Sequence, residues 1–486
     1  MNNGIKKAWQ IFYKARREAP AYKKFLTKHG LTNQFKGGAQ KAFLQIPITD
    51  KNNYIKAFEP FKILSKSRTA AQICASSGSS GIPTFWLRDA KQEHIGGEFH
   101  KIIFRDIYGL DNSKNTLVVI CFAMGVWVAG SFTLASCRSL ADSKQCRLTS
   151  VTPGIDKEDV LAILKTLAPK FEQIVLCGYP PFLTDVLTEA KKRKIKLGKK
   201  SFILASGEKI SEDWRSLIFS LLNKTPDNKS VLNIYGSADA GAMAFETPLT
   251  ISLRRLSLSN PKIYEKLFGN EFVTPGLYQF NPRHIYFESV NNELLLSADT
   301  AAPLIRYNIH DQGSVMDCSE IESILKSNDI KTAKLFKLLK QWALPLVIVK
   351  SRTDVAITFY SLNIYSEHIR IVLESKKLNS KVTGKFFAFT KISTTNSTSE
   401  SLHINIEVKS RLKPNKQTAL LCQKMIIESL TANSLEFRKL YASMGKSAWP
   451  KIKLLPYNHS SSLPKNTKIL TYKNGKKAKL ILNPDA

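Results

Sequence analysis

The sequence predicts an α/β fold: a large N-terminal domain with mainly parallel sheets and flanking helices, followed by a small α+β C-terminal domain. Three observations predict it. Between residues 158 and 237, apolar runs of strand length alternate with amphipathic helical segments, the pattern of βαβ units. After about residue 350 the texture changes to two long strand-like runs and a helix. The 486 residues, 43% of them hydrophobic, suffice to bury a large core and a smaller second one.

Residues 5–28 read as a helix broken at Pro20, where the ring removes a backbone donor. The stretch "SSGSSGIPT", residues 76–84, admits two readings: a flexible surface turn, or a cradle for phosphate. Gly78 and Gly81 let the backbone approach a ligand closely, and Ser76, Ser77, Ser79 and Ser80 add hydroxyls to the free N–H groups. Residues 117–135 carry no charge over 19 positions, long enough to span a bilayer. The β-branched run at 116–120, then Gly125 and Gly130, favours a buried strand, a turn and a helix start, so no stable membrane span is expected.

Further along, "EDVLAILKTLA" (158–168) has helical spacing and stops before Pro169. "QIVLCGYPP" (173–181), "KKSFILAS" (199–206) and "SVLNIYGS" (230–237) read as buried strands. "SEDWRSLIFSLLN" (211–223) reads as a helix with Ser211 as its cap. Ligands of such sheets sit at the carboxyl ends of the strands, and "YGS" lies at one. In the C-terminal part, 381–392 and 402–410 read as strands around a polar loop, and 415–430 as a helix.

With 72 Lys and Arg against 39 Asp and Glu, the formal charge is +33, which predicts nonspecific attraction to polyanions. The densest run, "KKRKIKLGKK" (191–200), also reads as the solvated end of an amphipathic helix, where cations suit the dipole. Seven scattered cysteines with no Cys-x-x-Cys pair argue against a disulfide framework or zinc site. They fit a reducing compartment, and the N-terminus has no signal-peptide core, so a cytoplasmic location is expected.

The Ser/Gly loop is followed by further stretches in a fixed order. They are "ILASGEKISEDWR" (203–215), "NIYGSADAG" (233–241), "APLIRYNIHD" (302–311), "KSRTDVAITFYSLNIYSEHI" (350–369) and "LPKNTKILTYKNGKKAKL" (463–480). Ahead of the loop stand "REAPAYKKFL" and "FLQIPITDK". Together these resemble the adenylate-forming acyl-CoA synthetase superfamily, most closely its phenylacetate–CoA ligase-like branch, over nearly the whole chain. The resemblance implies a domain of residues 1–351 that binds ATP and a carboxylate. It also implies a mobile lid of residues 352–486, hinged near 352–354 at Asp354.

It implies an AMP-forming acid–thiol ligase as well. A carboxylate oxygen attacks the α-phosphorus of ATP and pyrophosphate leaves; a thiol, CoA first among candidates, then displaces AMP from the acyl carbon. Joining two anions demands charge neutralisation more than covalent help. By resemblance, Ser76, Ser77, Gly78, Ser79, Ser80 and Gly81 hold the outer phosphates, and Gly207, Glu208, Tyr235 and Gly236 form the adenine side. Asp311 binds the ribose hydroxyls, with Arg306 and Arg352 as nearby cations. Asp239 takes the place of the Mg2+-binding glutamate, and Lys476, among Lys473, Lys477 and Lys479, that of the catalytic lysine. An isolated reading of Tyr235 is a buried strand-end aromatic, and of the tail lysines, solvated charge. Trp127, Tyr179 and Phe182 read equally as lining for an aromatic or small apolar acid and as ordinary core. A homodimer follows from the resemblance alone.

Several positions depart from the pattern. Asp239 is one methylene shorter than glutamate, Ala238 lacks a hydroxyl that contacts the α-phosphate, Ser361 stands where glycine borders the CoA channel, and His310 precedes Asp311 in place of glycine or arginine. They leave open a slow or non-catalytic nucleotide-binding relative, and transfer to an acceptor other than CoA.

Overall fold

The computed structural model describes residues 2–31, 35–75, 84–198, 200–271, 274–330, 332–352, 356–359, 362–393, 399–457 and 481–482. Two N-terminal helices, Asn2–Glu18 and Pro20–Lys28, split at the proline as the sequence predicts. A hairpin follows, β1 (Gln72–Ala75) and β2 (Phe85–Arg88), whose strands are the stems of the Ser/Gly segment.

The main sheet has eleven strands. Its first half is β3 (Thr116–Cys121), β4 (Leu148–Val151), β5 (Gln173–Gly178), β6 (Ser201–Ser206) and β7 (Val231–Ser237), all parallel in the order β4-β3-β5-β6-β7. β3 shows why these strands read as continuous apolar runs. Val118 and Ile120 join the core on one face, while Leu117, Val119 and Cys121 join the core on the other. The helices Lys157–Thr166, Pro180–Lys192 and Glu212–Leu221 cover the second face. The Ser211 hydroxyl accepts from the Trp214 N–H at 3.0 Å, the cap the sequence predicts.

The second half is antiparallel: β8 (Gly241–Phe245), β9 (Gly276–Gln279), β10 (Ile285–Val290), β11 (Glu293–Ala298), β12 (Leu304–Met316) and β13 (Leu346–Arg352), in the order β7-β8-β9-β13-β12-β11-β10. The N-terminal helices pack on it through Phe12, Tyr22 and Phe25, forming one apolar core with Tyr54, Tyr307 and Leu296. Each fully buried side chain of this size contributes roughly 1.5–3 kcal/mol.

The uncharged 117–135 stretch forms β3, a turn with Gly125 at φ +78°, and the start of the helix Val128–Asp142. Among the described residues no helix is long and apolar enough to cross a membrane. All seven cysteines are free.

Past residue 355 the chain forms β14 (Ala356–Phe359), β15 (Leu362–Tyr365), β16 (Val382–Ser393), β17 (Ser399–Val408), β18 (Lys451–Leu455) and β19 (Ile481–Leu482). The last four make a sheet in the order β18-β17-β16-β19. With the helices Ser366–Glu374 and Lys416–Asn433 it encloses a separate core centred on Phe386, Ile404, Ile406 and Ile426.

Candidate active site

The carboxyl ends of the parallel strands and the turn from β7 to β8 bring several of the sequence-singled residues together. Tyr235 lies near the end of β7 and donates its phenol to Asp311 Oδ2 on β12, at 2.5 Å across 76 positions of sequence. Its ring, 8% exposed, runs nearly parallel to Tyr278 and Phe287, at centroid distances of 5.7 and 6.3 Å. Asp311 stands opposite Arg352 in the register of β12 and β13. His310 beside it has φ +62°, a left-handed conformation that glycine adopts at less cost.

The turn after β7 presents Asp239. The Ser237 hydroxyl accepts from the N–H groups of Asp239 and Ala240, both at 3.2 Å, and so fixes the turn. The Tyr307 phenol donates to Asp239 Oδ2 at 2.7 Å, and Lys51 Nζ lies 3.5 Å from Oδ1. Lys51 arrives because residues 49–51 run along β12: Asn308 N–H donates to the Thr49 carbonyl at 2.7 Å. Gly236 is required for closeness, since a Cβ there would sit 2.9 Å from the Gly241 carbonyl oxygen. Mg2+ takes one or two carboxylates and completes its shell with water and phosphate oxygens. Asp239, whose Oδ1 faces Lys51 Nζ at 3.5 Å, fits that donor set. Among the described residues no group of three or more His, Cys, Asp or Glu could hold a metal. A site of one acid plus ligand phosphates forms no such group.

Gly207 and Glu208 occupy the end of β6. Gly207 has φ +95°, and a Cβ on it would meet the Tyr179 ring at 3.0 Å, so both backbone and space call for glycine. The Glu208 carboxylate pairs with Arg370 of the C-terminal region at 2.5 Å, while its carbonyl accepts from Asn233 at 2.8 Å. Lys209 next to it is half-buried, its amine donates to the Lys350 carbonyl, and burial lowers its pKa.

Ser76, Ser77, Gly78, Ser79, Ser80, Gly81, Asp354 and Lys476 lie outside the described residues. The stems of the loop do sit at the site: Ala75 bridges Trp127, and the Trp86 ring meets Tyr307 edge-on at 6.2 Å. Arg306 is neither a surface ion pair nor a site cation. It is buried, bonds Glu288 at 2.7 Å, and ties the carbonyls of Leu44 and Ile46 to β12 at 2.6 Å. Trp127, Tyr179 and Phe182 stand at the starts of two helices: Phe182 packs into the core under its helix, Tyr179 packs against Gly207, and Trp127 precedes the helix Val128–Asp142. A cavity beside the site has ≈ 70 Å³ of open space and is lined by Phe99, Phe132, Ala242, Met243, Asn281 and His284 among others.

Among the described residues, polar contacts that join the two regions include Glu208 to Arg370, Ser211 to Glu374 at 3.0 Å, Lys385 to Asp185 at 2.8 Å, and Lys157 to Tyr457 at 2.8 Å. Burial pushes the Glu374 carboxyl up to about 7 from an ordinary 4.5, against the pull of Arg370. The folded state therefore holds this proton more tightly than the unfolded one. Its contribution is full below about pH 4.5 and declines as pH rises through 7. Thermal melting should show the C-terminal region loosening between pH 5.5 and 8 by about 2 kcal/mol, discounted for partial exposure. Glu374→Gln should flatten that dependence; an unchanged slope in the variant would assign it to another group.

No family model matches the chain, and no curated protein sequence does. Solved structures do. A 2-hydroxyisobutyryl-CoA ligase in the postadenylation state, in complex with R3-HIB-AMP, matches with a TM-score of 0.63 at 13% identity, over 96% of this chain and 88% of that one. The same ligase with 2-HIB-AMP and CoA in its thioesterification state matches with a TM-score of 0.53 at 13% identity, over 95% and 87%. Coverage is near-complete in both chains, and this chain has the fold of these ligase structures.

Proposed function

We propose that the protein activates a carboxylic acid with ATP, releasing pyrophosphate, and passes the acyl group from the adenylate to a thiol, CoA first. The observation that supports this best is the juxtaposition of the Tyr235–Asp311 pair with the Asp239–Tyr307 pair at the strand ends. One pair suits a ribose and the other a metal–phosphate end. Asp239 would hold Mg2+, which when bound supplies charge neutralisation at the phosphates. Asp311 orients the nucleoside, Lys476 neutralises charge on the α-phosphate, and residues 352–486 form the lid. The solved relatives carry acyl-AMP, and the better match is to the postadenylation state.

The cavity argues for the small acid over the aromatic one. It has ≈ 70 Å³ of open space, whereas a cavity that holds benzene measures about 150 Å³.

Pyrophosphate release with ATP, Mg2+ and a panel of short-chain and aryl acids tests the reading. Short acids are expected to support release and benzoate-sized acids to lag. Lys476→Ala should cut the rate by roughly 10²–10³-fold. Release that is independent of acid, or a variant as fast as the parent, would count against it. The second reading, a nucleotide binder without turnover, draws on Ala238, which offers no hydroxyl to the α-phosphate. It expects nucleotide binding with no release for any acid.

A further inference from the structure

The geometry points to Arg88 as the residue that holds the α-phosphate of the bound nucleotide. Arg88 ends β2 and is 4% exposed. One Nη2 donor goes to the Ala238 carbonyl, which anchors the guanidinium on the turn that carries Asp239. Its Nε is buried with no partner among the described residues. The other side of the fork, Nη1, lies 3.7 Å from where a Cβ on Gly241 would stand.

The carboxylates nearest in charge are already engaged. Asp89 pairs with Arg68 at 2.6 Å and accepts from Gln92 N–H at 2.9 Å. Asp239 accepts from Tyr307 at 2.7 Å and faces Lys51 at 3.5 Å. Arg88 is thus a fixed, desolvated cation beside the Cys74 thiol, with its Nε donor unpartnered among the described residues. A buried charge left so is costly unless an anion completes it. Guanidinium is the side chain best shaped for phosphate oxygens.

Position selects which phosphate. Asp311 and Tyr235 mark the nucleoside end, and the cavity bounded by Ala242 and Met243 marks the acyl end. The turn from Ala238 to Gly241, where Arg88 is anchored, joins β7, which carries Tyr235, to β8, which lines that cavity. In an acyl-adenylate the group between ribose and acyl carbon is the α-phosphate. Ala238 brings no hydroxyl there, and Arg88 brings charge and donors instead. The assignment rests on the adenylating function proposed above.

Calorimetric binding of AMP and of adenosine, without divalent cations, tests it independently of turnover. The parent protein should bind AMP at least tenfold more tightly than adenosine. Arg88→Gln, which retains a donor for the Ala238 carbonyl, should lose roughly 10–100-fold in AMP affinity and leave adenosine affinity within threefold. Arg88→Lys should fall between. A variant that loses both ligands equally, or neither, would overturn the assignment and give Arg88 a purely structural role. So would a parent that binds both ligands with equal affinity, which needs no variant to fold. A parent that binds neither ligand would instead bring down the proposed function, and the assignment with it.

Discussion

Asp311→Ala is expected to lower kcat/KM for ATP by ~10²–10⁴-fold while the protein stays folded. A ribose carboxylate makes two charge-assisted hydrogen bonds, each contributing roughly 1.5–3 kcal/mol, and alanine makes neither. The loss should appear in ATP and AMP affinity together, because the ribose is common to both. Tyr235→Phe separates the direct role from the supporting one. It removes only the phenol that donates to Asp311 Oδ2 at 2.5 Å, and should cost about 5–10-fold. Calorimetric AMP binding with both variants is the check. If Asp311→Ala bound AMP as the parent does, the nucleoside would have to lie elsewhere, and the ribose role of Asp311 would be lost.

The sequence made Asp311, Tyr235 and Asp239 visible because each sits in a short run with an unusual residue order. It did not make Lys51, Arg88 or Tyr307 visible. Lys51 and Tyr307 meet Asp239 from 188 positions before and 68 after, through pairing that no local pattern records. The parallel half of the sheet was legible because strands buried on both faces are apolar throughout, as "FILAS" is. The antiparallel half was not. β12 mixes Arg306, Asn308, His310 and Asp311 into thirteen residues, with Arg306 and His310 at positive φ and a register shift after Asp311. The helix Ala90–Lys101 was hidden by Gly96 and Gly97, poor helix formers. They are there for packing: a Cβ on Gly96 would stand 2.6 Å from Phe132, and one on Gly97 2.8 Å from the Ser139 hydroxyl. Trp127, Tyr179 and Phe182 read equally as lining and as core, because aromatic residues at strand ends serve packing as readily as binding.

Glu246→Gln should produce the largest loss of stability, about 3–5 kcal/mol, although Glu246 touches no ligand. Both of its carboxylate oxygens accept from Arg215 Nη2, at 2.8 and 2.9 Å, and Arg254 lies at 3.0 Å, in a cluster where Arg215 has no exposed surface. Glu212 is the other acid there. Burial opposes its ionisation, but Arg215 and Arg254 outweigh that and hold its carboxyl well below the ordinary range. Removing one charge leaves Glu212 alone facing Arg215, Arg254 and Arg255. The uncompensated cations, more than the lost bonds, set the cost. The damage should also reach the site. Glu246 Oε2 accepts from the Asn233 N–H at 2.8 Å, and the Asn233 side chain bonds the Tyr278 phenol and the Glu208 carbonyl, both at 2.8 Å. Tyr278 in turn lies along Tyr235, so AMP affinity should weaken by a smaller factor than with Asp311→Ala. Urea unfolding should show a lower midpoint at constant slope. Glu212→Gln should cost less, since Glu212 is 15% exposed and water can replace part of what it gives. An unchanged midpoint for Glu246→Gln would mean that the arginines find solvent or another acid, and that the cluster does not hold the sheet behind the site.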